Sequence, residues 1–261
     1  MEAVGLGVFM ISAALCTIAL YHPASPISDA FPDEFMRRAL IGMAMGLTAI
    51  GIIYSPWGKQ SGAHINPAVT LMFLYLRKIA PWDAFFYMVA QLAGGVLGVA
   101  VIALMANELL THPTVNYVVT IPGPAGIWAA CVAEFAISFL LALIVLFCSN
   151  RTSLARFTGV FAGLSVAIFI TVEAPLSGMS MNPARTIASG LIPGVWNSLW
   201  VYLFVPPLAM LLSAAAYTSL GHRVMCAKLH HQNHRRCIFC EYSRQLHPKP
   251  SGSLGFEARR A

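Results

Sequence analysis

The tripeptide Asn-Pro-Ala occurs twice in this chain, as Asn66-Pro67-Ala68 and as Asn182-Pro183-Ala184. Each copy lies in a longer repeated phrase, residues 61–70 and 177–186, and six of the ten positions are identical at an offset of 116 residues. In each copy Asn stands at a helix N-cap, Pro at the first helical position, and a short apolar run follows. One copy is a weak signal, because many ordinary helices begin this way. Two copies predict a repeat that is built around paired helix N-termini.

Two helix N-termini that face each other create a site for the oxygen atom of a neutral solute. Each N-terminus carries about half a positive charge from unpaired backbone N–H groups, so a cation or hydronium ion between them is disfavoured. Asn66 and Asn182 can cap their helices through the amide oxygen and still donate a hydrogen bond from the amide nitrogen. The motifs therefore predict a path for neutral molecules that opposes protons and cations.

Arg185 follows the second motif and lies in the first turn of its helix. An arginine at membrane depth is costly unless it faces water and is hydrogen-bonded. We therefore interpret Arg185 as a functional residue that faces the same path.

The elements that must position these residues belong to a membrane protein. The chain is 58% hydrophobic and 10% charged, with a mean hydropathy of +0.71, whereas soluble domains carry about 25% charged residues. Alternation typical of a β-barrel is absent, so the spanning segments are predicted to be helices. Six stretches are long enough to span a bilayer: Val4–Tyr21, Ala39–Ser55, Trp82–Met105, Ile127–Cys148, Arg156–Val172 and Leu199–Leu220.

The two segments that begin at Asn-Pro-Ala, Pro67–Leu76 and Pro183–Ile192, are too short to span. Ten residues of helix measure about 15 Å, half of a hydrocarbon core of about 30 Å. Three spans lie between the two short segments, so the segments are predicted to enter the membrane from opposite faces. The loops that lead into them, at 55–65 and 173–181, are predicted to line a pore. The predicted fold is an all-α membrane protein with six transmembrane helices plus two re-entrant half-helices, an inverted three-helix repeat with halves at about 1–110 and 125–220.

Positive charge is concentrated on one side of the predicted bundle. The loops that carry Lys59, Arg77, Lys78, Arg151 and Arg156 share a side with the tail, which is rich in Lys and Arg. The positive-inside rule places both termini in the cytoplasm, in a plasma (inner) membrane. Topology therefore accounts for the pI of about 9.1 without a nucleic-acid partner.

With these features, the chain resembles the aquaporin family (major intrinsic proteins) over about residues 1–220. The resemblance rests on both Asn-Pro-Ala motifs, their Ser-Gly lead-ins, Arg185, Glu2 and Glu134. It implies a six-helix bundle with two half-helices, one pore per protomer and a homotetramer in the lipid bilayer. It also implies that Glu2 and Glu134 accept hydrogen bonds from backbone N–H groups of the pore loops. His64, two residues before the first motif, is interpreted as a residue that orders its loop.

The resemblance further implies a selectivity constriction formed by Met45, Ile170, Met179 and Arg185. Water-selective members usually place an aromatic residue and a His at the positions of Met45 and Ile170, and this chain has neither. The ring consists of three apolar walls and one cationic donor, which favours a pore that passes water and amphipathic neutral solutes. Solute-conducting members often have Asp where this chain has Thr186, and that position favours the opposite interpretation.

The tail at 221–261 lies outside the resemblance and is predicted to be a cytoplasmic, basic, Cys/His-rich and flexible segment. A Cys-x-x-Cys pair in such a tract has the spacing of half a zinc site. The candidate ligands for zinc or another soft metal are three thiols and one of two nearby histidines: Cys226, Cys237, Cys240, and His230 or His234. Two alternatives are a redox pair at Cys237 and Cys240, and a solvated basic tail that touches anionic lipid.

The predicted function is a passive channel for water and small uncharged solutes such as glycerol, excluding protons and ions and needing no cofactor for transport. Urea, ammonia, peroxide and metalloid hydroxides are further uncharged candidates. Because no polar catalytic constellation exists outside the pore and the tail, the chain is predicted not to be an enzyme. The alternative is a membrane-anchored metal or thiol sensor with a non-conducting bundle of the same fold.

Overall fold

A computed structural model describes residues 1–231 and 237–246 of the chain, and every regular element within them is helical. The α-helices are, in chain order, α1 (Glu2–Tyr21), α2 (Pro26–Ala30), α3 (Glu34–Tyr54), α4 (Pro56–Ser61), α5 (Pro67–Tyr75), α6 (Pro81–Thr111), α7 (Ile127–Ser149), α8 (Thr158–Ser177), α9 (Pro183–Leu191), α10 (Leu199–Ser219) and α11 (Ile238–Leu246). Single 3₁₀ turns occur at 116–118 and 155–157.

Six of these helices, α1, α3, α6, α7, α8 and α10, are long and apolar enough to cross a membrane. This confirms the predicted all-helical membrane fold with six spans. The ends differ by a few residues from the prediction. The helix α6 continues beyond Met105, but its backbone breaks at Ala106, where φ is −149° and ψ is 45°. The helix α8 continues through Pro175 to Ser177, because the proline lies near its end and interrupts little.

The long helices pack in pairs that repeat between the two halves. Helix α1 packs on α6, and its counterpart α7 packs on α10 in the same way. The equivalent helices α3 and α8 pack on each other across the centre of the bundle. Gly46 and Gly163 lie at this crossing, and a Cβ atom on either would come within 2.6 Å of the other's carbonyl oxygen. The absence of side chains there lets the two backbones touch.

The helices α5 and α9 are nine residues long, and each begins at the proline of an Asn-Pro-Ala motif. Helix α5 packs on α10 of the other half, and helix α9 packs on α6 of the first half. Each short helix therefore crosses to the opposite half of the repeat, and the two contact each other. This exchange brings the N-termini of α5 and α9 to the middle of the bundle.

The described part of the tail packs against the bundle instead of leaving it. Val224, Ala227, Leu229 and Phe239 are buried and belong to the same hydrophobic core as α5, α7 and α8. Nothing in the sequence indicated this packing, because these apolar residues are isolated between polar ones. Their burial brings the tail against the loop that precedes the first Asn-Pro-Ala motif.

Candidate functional site

A cavity of about 570 Å³ runs through the bundle between the two halves. At one end its wall includes Tyr21, Glu34 and Arg38, which lie where α1 ends and α3 begins. At the other end its wall includes Ile53 and the tail residue Leu229. Between them, both loops that precede α5 and α9 line the wall. The cavity therefore follows the long direction of the bundle and passes the point where the two short helices meet.

The N-termini of α5 and α9 are capped by the two asparagines and joined through them. The Oδ1 atom of Asn66 accepts a hydrogen bond from the N–H of Ala68 (2.8 Å), and Oδ1 of Asn182 accepts from the N–H groups of Ala184 and Arg185 (3.1 and 3.2 Å). Both amide oxygens are therefore used as helix caps.

The two amide groups also cross between the halves. Nδ2 of Asn66 donates to the carbonyl oxygen of Met181 (2.7 Å), and Nδ2 of Asn182 donates to the carbonyl oxygen of Ile65 (2.8 Å). Each NH₂ group has two N–H donors, so one N–H of each asparagine fixes the opposite loop. The other N–H is left for a molecule in the cavity, whose wall both asparagines line.

Glu2 organises the first pore loop. Its carboxylate is buried and accepts hydrogen bonds from the hydroxyl of Ser61 (2.6 Å) and from the N–H groups of His64 and Ile65 (3.2 and 2.6 Å). Nε2 of Gln91 donates to the same carboxylate (2.8 Å). Four residues, from α4, the loop and α6, thus converge on one side chain near the N-terminus of the chain.

Glu134 organises the second pore loop in the same way. It accepts hydrogen bonds from the hydroxyl of Ser177 (2.8 Å) and from the N–H groups of Ser180 and Met181 (2.6 and 2.8 Å). The side chain of Glu134 is fully buried, so these donors replace the water that an ionised carboxylate needs.

The two carboxylates stabilise loops with an unusual backbone. Ala63 and Ile65 have φ angles of +54° and +42°, and Met179 and Met181 have φ angles of +50° and +54°. Residues other than glycine rarely adopt this left-handed backbone region, because it costs about 1–3 kcal/mol per residue. The alternation turns successive peptide groups in opposite directions, so N–H groups point to the glutamate while the loops line the cavity.

The four predicted constriction residues all lie on the cavity wall. Met45 comes from α3, Ile170 from α8, Met179 from the second pore loop and Arg185 from α9. Met45, Met179 and Arg185 are buried within the bundle, whereas Ile170 is half-buried. Their role in selecting solutes stays a prediction.

Thr120 is a residue of this region that sequence reasoning missed. Its hydroxyl accepts a hydrogen bond from Nη1 of Arg185, and Thr120 is itself buried. Thr186 contacts the same hydroxyl (3.5 Å) and shares a hydrogen bond with Ser180 (2.5 Å). A single threonine in the 112–126 loop carries no sequence signal, because only the fold brings this loop over α9.

His64 connects the first pore loop to the tail. Its Nδ1 lies 3.1 Å from Oγ1 of Thr70, and its Nε2 lies 2.8 Å from the carbonyl oxygen of Ala227. The ring stacks on Phe73 with centroids 5.0 Å apart and faces Phe239 at 6.2 Å. His64 therefore contacts both its own loop and a segment that the sequence analysis assigned to a separate tail, and its role in ordering the loop stays a prediction.

Four side chains of the tail form one cluster: Cys226, His231, Cys237 and Cys240. Their ligand atoms all lie within 4.8 Å of one another. The histidine differs from the predicted candidates. The ring of His230 packs edge-on against Tyr54 instead, with centroids 5.1 Å apart, and His234 lies outside the residues that the structure describes.

One thiol of the cluster has a strongly altered acidity. The hydrogen bond from Cys226 lowers the pKa of the Cys237 thiol to about 4, and the nearby ammonium of Lys228 acts in the same direction. The same hydrogen bond, together with burial, raises the pKa of the Cys226 thiol. None of the cysteines in the described part of the chain forms a disulfide.

The chain is similar to known proteins over its helical bundle. The family model described as "Major intrinsic protein" matches residues 1–217. The chain is 34% identical to the putative aquaporin NIP4-1 of Arabidopsis thaliana over 214 residues, which are 81% of this chain and 71% of the relative. It is 33% identical to the glycerol uptake facilitator protein-like 6 of Lactiplantibacillus plantarum over 184 residues, 69% of this chain and 84% of the relative.

The fold is also similar to a solved structure. The X-ray structure of the aquaglyceroporin from Plasmodium falciparum superposes with a TM-score of 0.65 at 19% sequence identity. The similarity covers 83% of this chain and 92% of the solved chain.

Proposed function

This chain belongs to the major intrinsic protein family, and we propose that it conducts water together with small uncharged solutes such as glycerol while excluding protons and ions. Membership makes it an integral membrane channel for water and small solutes, and not an enzyme. The finer selectivity is argued below from the wall of the cavity.

The observation that carries the proposal is the composition of the predicted constriction. Met45, Ile170 and Met179 present apolar surface to the cavity, and Arg185 is the one cationic donor among the four. Water that passes such a ring loses hydrogen bonds on three sides. A polyol loses less, because its C–H groups can contact the apolar wall while its hydroxyls reach the donor. The similarity to a relative named as a glycerol uptake facilitator supports the same solute class.

Exclusion of protons and cations is argued from charge. The N-termini of α5 and α9 meet at the cavity, and each contributes about half a positive charge. Arg185 adds a full positive charge one helical turn away. A cation in this stretch meets three positive groups, whereas a neutral oxygen can accept hydrogen bonds from two asparagine amides.

Stopped-flow light scattering on proteoliposomes tests this proposal with separate water and glycerol gradients. Both permeabilities should exceed those of protein-free liposomes of the same lipid. If water alone crosses faster, the proposed solute class is wrong and the methionines close the constriction. If neither crosses faster, with or without a metal chelator, the non-conducting sensor becomes the better interpretation, which the thiol cluster favours.

We further propose a homotetramer in the plasma (inner) membrane with both termini in the cytoplasm. Lys59 and the 149–157 loop lie at the same end of the bundle as the tail, since Nζ of Lys228 donates to the carbonyl of Lys59 and the N–H of Met225 donates to Asn150.

The outer surface of the long helices is apolar and suits contact with lipid or with other copies of the chain. Leu104, Trp128 and Val132 are among the apolar side chains exposed there. Native mass spectrometry should give four chains per particle, and protease should remove the tail only from the cytoplasmic side.

A further inference from the structure

The tail reaches one end of the cavity through a short run of residues, 227–230. Leu229 lies on the cavity wall, and its backbone N–H donates to the carbonyl oxygen of Gly62 (3.2 Å). The carbonyl oxygen of Ala227 accepts from His64, which lines the same cavity. Gly62 has a φ of +98°, and a Cβ atom there would come within 2.7 Å of the Ala227 oxygen. The tail backbone therefore lies directly against the first pore loop.

The four-residue cluster brackets this run. Cys226 immediately precedes Ala227, and His231 follows Leu229 by two residues. The other two members, Cys237 and Cys240, lie beyond the residues left undescribed, at the start of α11. Any ion that binds all four side chains ties both ends of the 227–230 run to α11.

The geometry of the cluster matches one class of ligand. A tetrahedral zinc ion with bonds of about 2.3 Å to sulfur and about 2.0 Å to nitrogen holds its ligand atoms about 3.5–3.8 Å apart. The Sγ atoms of Cys226 and Cys237 are 3.7 Å apart, and Sγ of Cys240 lies 3.3 Å from Nε2 of His231. Three thiols and one imidazole form a donor set that selects soft or borderline cations over Mg²⁺ and Ca²⁺.

The surroundings of the cluster suit a centre with excess negative charge. Three thiolates and a neutral histidine around a divalent ion carry a net charge of about −1. The ammonium groups of Lys78 and Lys228 lie close enough to interact electrostatically with the cluster thiols. Cys226 and Cys237 are buried, so water has little access to them.

We propose that Cys226, His231, Cys237 and Cys240 bind one divalent soft cation of the Zn²⁺ class, and that the bound ion keeps residues 227–230 across the cytoplasmic end of the channel. Removal of the ion releases the run and opens that end. The second half of this statement rests on the proposed channel function, whereas the metal site does not.

The bound ion adds a tether to the contacts that residues 227–230 already make with the bundle. Leu229 donates a backbone hydrogen bond to the first pore loop, and the carbonyl oxygen of Ala227 accepts one from the ring of His64. Lys228 donates to the carbonyl oxygen of Lys59, and all three of these tail side chains are buried. A structural metal site couples its binding free energy to the ordering of the chain around it. Occupancy of the site therefore biases the run toward the bound position.

Metal analysis of the purified full chain tests the first half. We expect one zinc per chain in the wild type and loss of that zinc in the double variant Cys237→Ser/Cys240→Ser. The control Cys131→Ser should keep the zinc, because its thiol lies on α7 and does not belong to the cluster. Loading the apo protein with Co²⁺ should give the absorption bands of a tetrahedral thiolate site. Equal metal in wild type and double variant, or fewer than six titratable thiols in a metal-free wild type, would overturn the site.

Flux measurements on proteoliposomes test the second half. Stripping the metal with a permeant chelator should raise the water permeability of the wild type and of Cys131→Ser severalfold. The double variant should show the high permeability with and without chelator. Equal permeability of loaded and stripped wild type would overturn the closure.

Hydrogen exchange separates this failure from a failure of the proposed function. If every sample matches empty liposomes in both metal states, the channel proposal fails. The position of the run is then read from the backbone amides at 224–231, which should be protected in the loaded protein and exchange faster after stripping. Unchanged protection would show that the ion does not control the run.

Discussion

Nε2 of His64 lies 2.8 Å from the carbonyl oxygen of Ala227, which joins the loop of the first Asn-Pro-Ala motif to the C-terminal tail. Because a carbonyl oxygen only accepts, His64 donates through Nε2 and its Nδ1 faces the hydroxyl of Thr70 at 3.1 Å. Within residues 1–231 and 237–246 the second loop has no such bond to the tail, since Ser180 takes the place of His64 and its hydroxyl pairs with Thr186. The two halves of the inverted repeat therefore differ at this position, and His64, the residue that differs, is the one that contacts the tail.

Glu134→Gln should destabilise the protein by about 1.5–3 kcal/mol, because three donors lose a charged acceptor. The amide nitrogen of Gln would also face N–H groups of the loop. We expect a lower midpoint of thermal unfolding in detergent and reduced water permeability in proteoliposomes.

Glu173→Gln is the matched control in the same half. Neither carboxylate oxygen of Glu173 has a hydrogen-bond partner among the residues that the structure describes, although the side chain is buried. Removing that charge should leave the midpoint unchanged or raise it. Equal lowering of the midpoint by both substitutions would mean that the hydrogen bonds from the second pore loop to Glu134 do not stabilise the protein.

Arg185→Ala should widen the predicted constriction and remove its fixed positive charge. Water and glycerol permeabilities should stay the same or rise, and a cation or proton leak should become measurable with ion-sensitive dyes. Arg185→Lys is the control, since it keeps the charge and should leak less. Unaltered selectivity in the alanine variant would show that Arg185 does not face the conducting path.

Thr120→Val should release the guanidinium of Arg185 while keeping the volume of the side chain. A hydrogen bond to a charged group contributes about 1.5–3 kcal/mol, so Arg185 should sample more positions. We expect the ratio of glycerol to water permeability to change severalfold. The control is Thr111→Val, an exposed position near the same loop, whose ratio should equal that of the wild type. A wild-type ratio in both variants would show that Thr120 has no part in positioning Arg185.

Met45→Phe combined with Ile170→His tests the proposed solute class. An aromatic ring and an imidazole at these two wall positions should narrow the ring and add a polar donor. Glycerol permeability should fall toward that of empty liposomes while water permeability is kept. The conservative pair Met45→Leu and Ile170→Val should keep both. Glycerol flux that survives in the aromatic variant would place the selective step elsewhere in the cavity.

The sequence predicted the fold well because its signals are local. An apolar run long enough to cross a bilayer can be read from consecutive residues. The same holds for a proline after a capping asparagine and for each copy of the repeated phrase. The six spans are confirmed by the structure. The end of α8 was missed because Glu173 and Pro175 resemble a helix stop, yet that helix continues to Ser177.

Contacts between distant segments were less predictable. The pairing of Arg185 with Thr120 joins residues 65 positions apart, and the pairing of His64 with Ala227 joins residues 163 positions apart. The tail provides the clearest case, since its composition indicated a solvated segment. Its few apolar residues are buried only because the bundle leaves room beside the first pore loop.

Proton permeability, measured beside water permeability on the same proteoliposomes, tests the central claim most directly. The vesicles would enclose a pH-sensitive dye, and a potassium gradient with an ionophore would clamp the membrane potential during an imposed pH step. The meeting N-termini of α5 and α9 and the charge of Arg185 predict water permeability above that of empty liposomes, with proton permeability equal to theirs. A proton flux that rises with the amount of reconstituted protein would contradict the account.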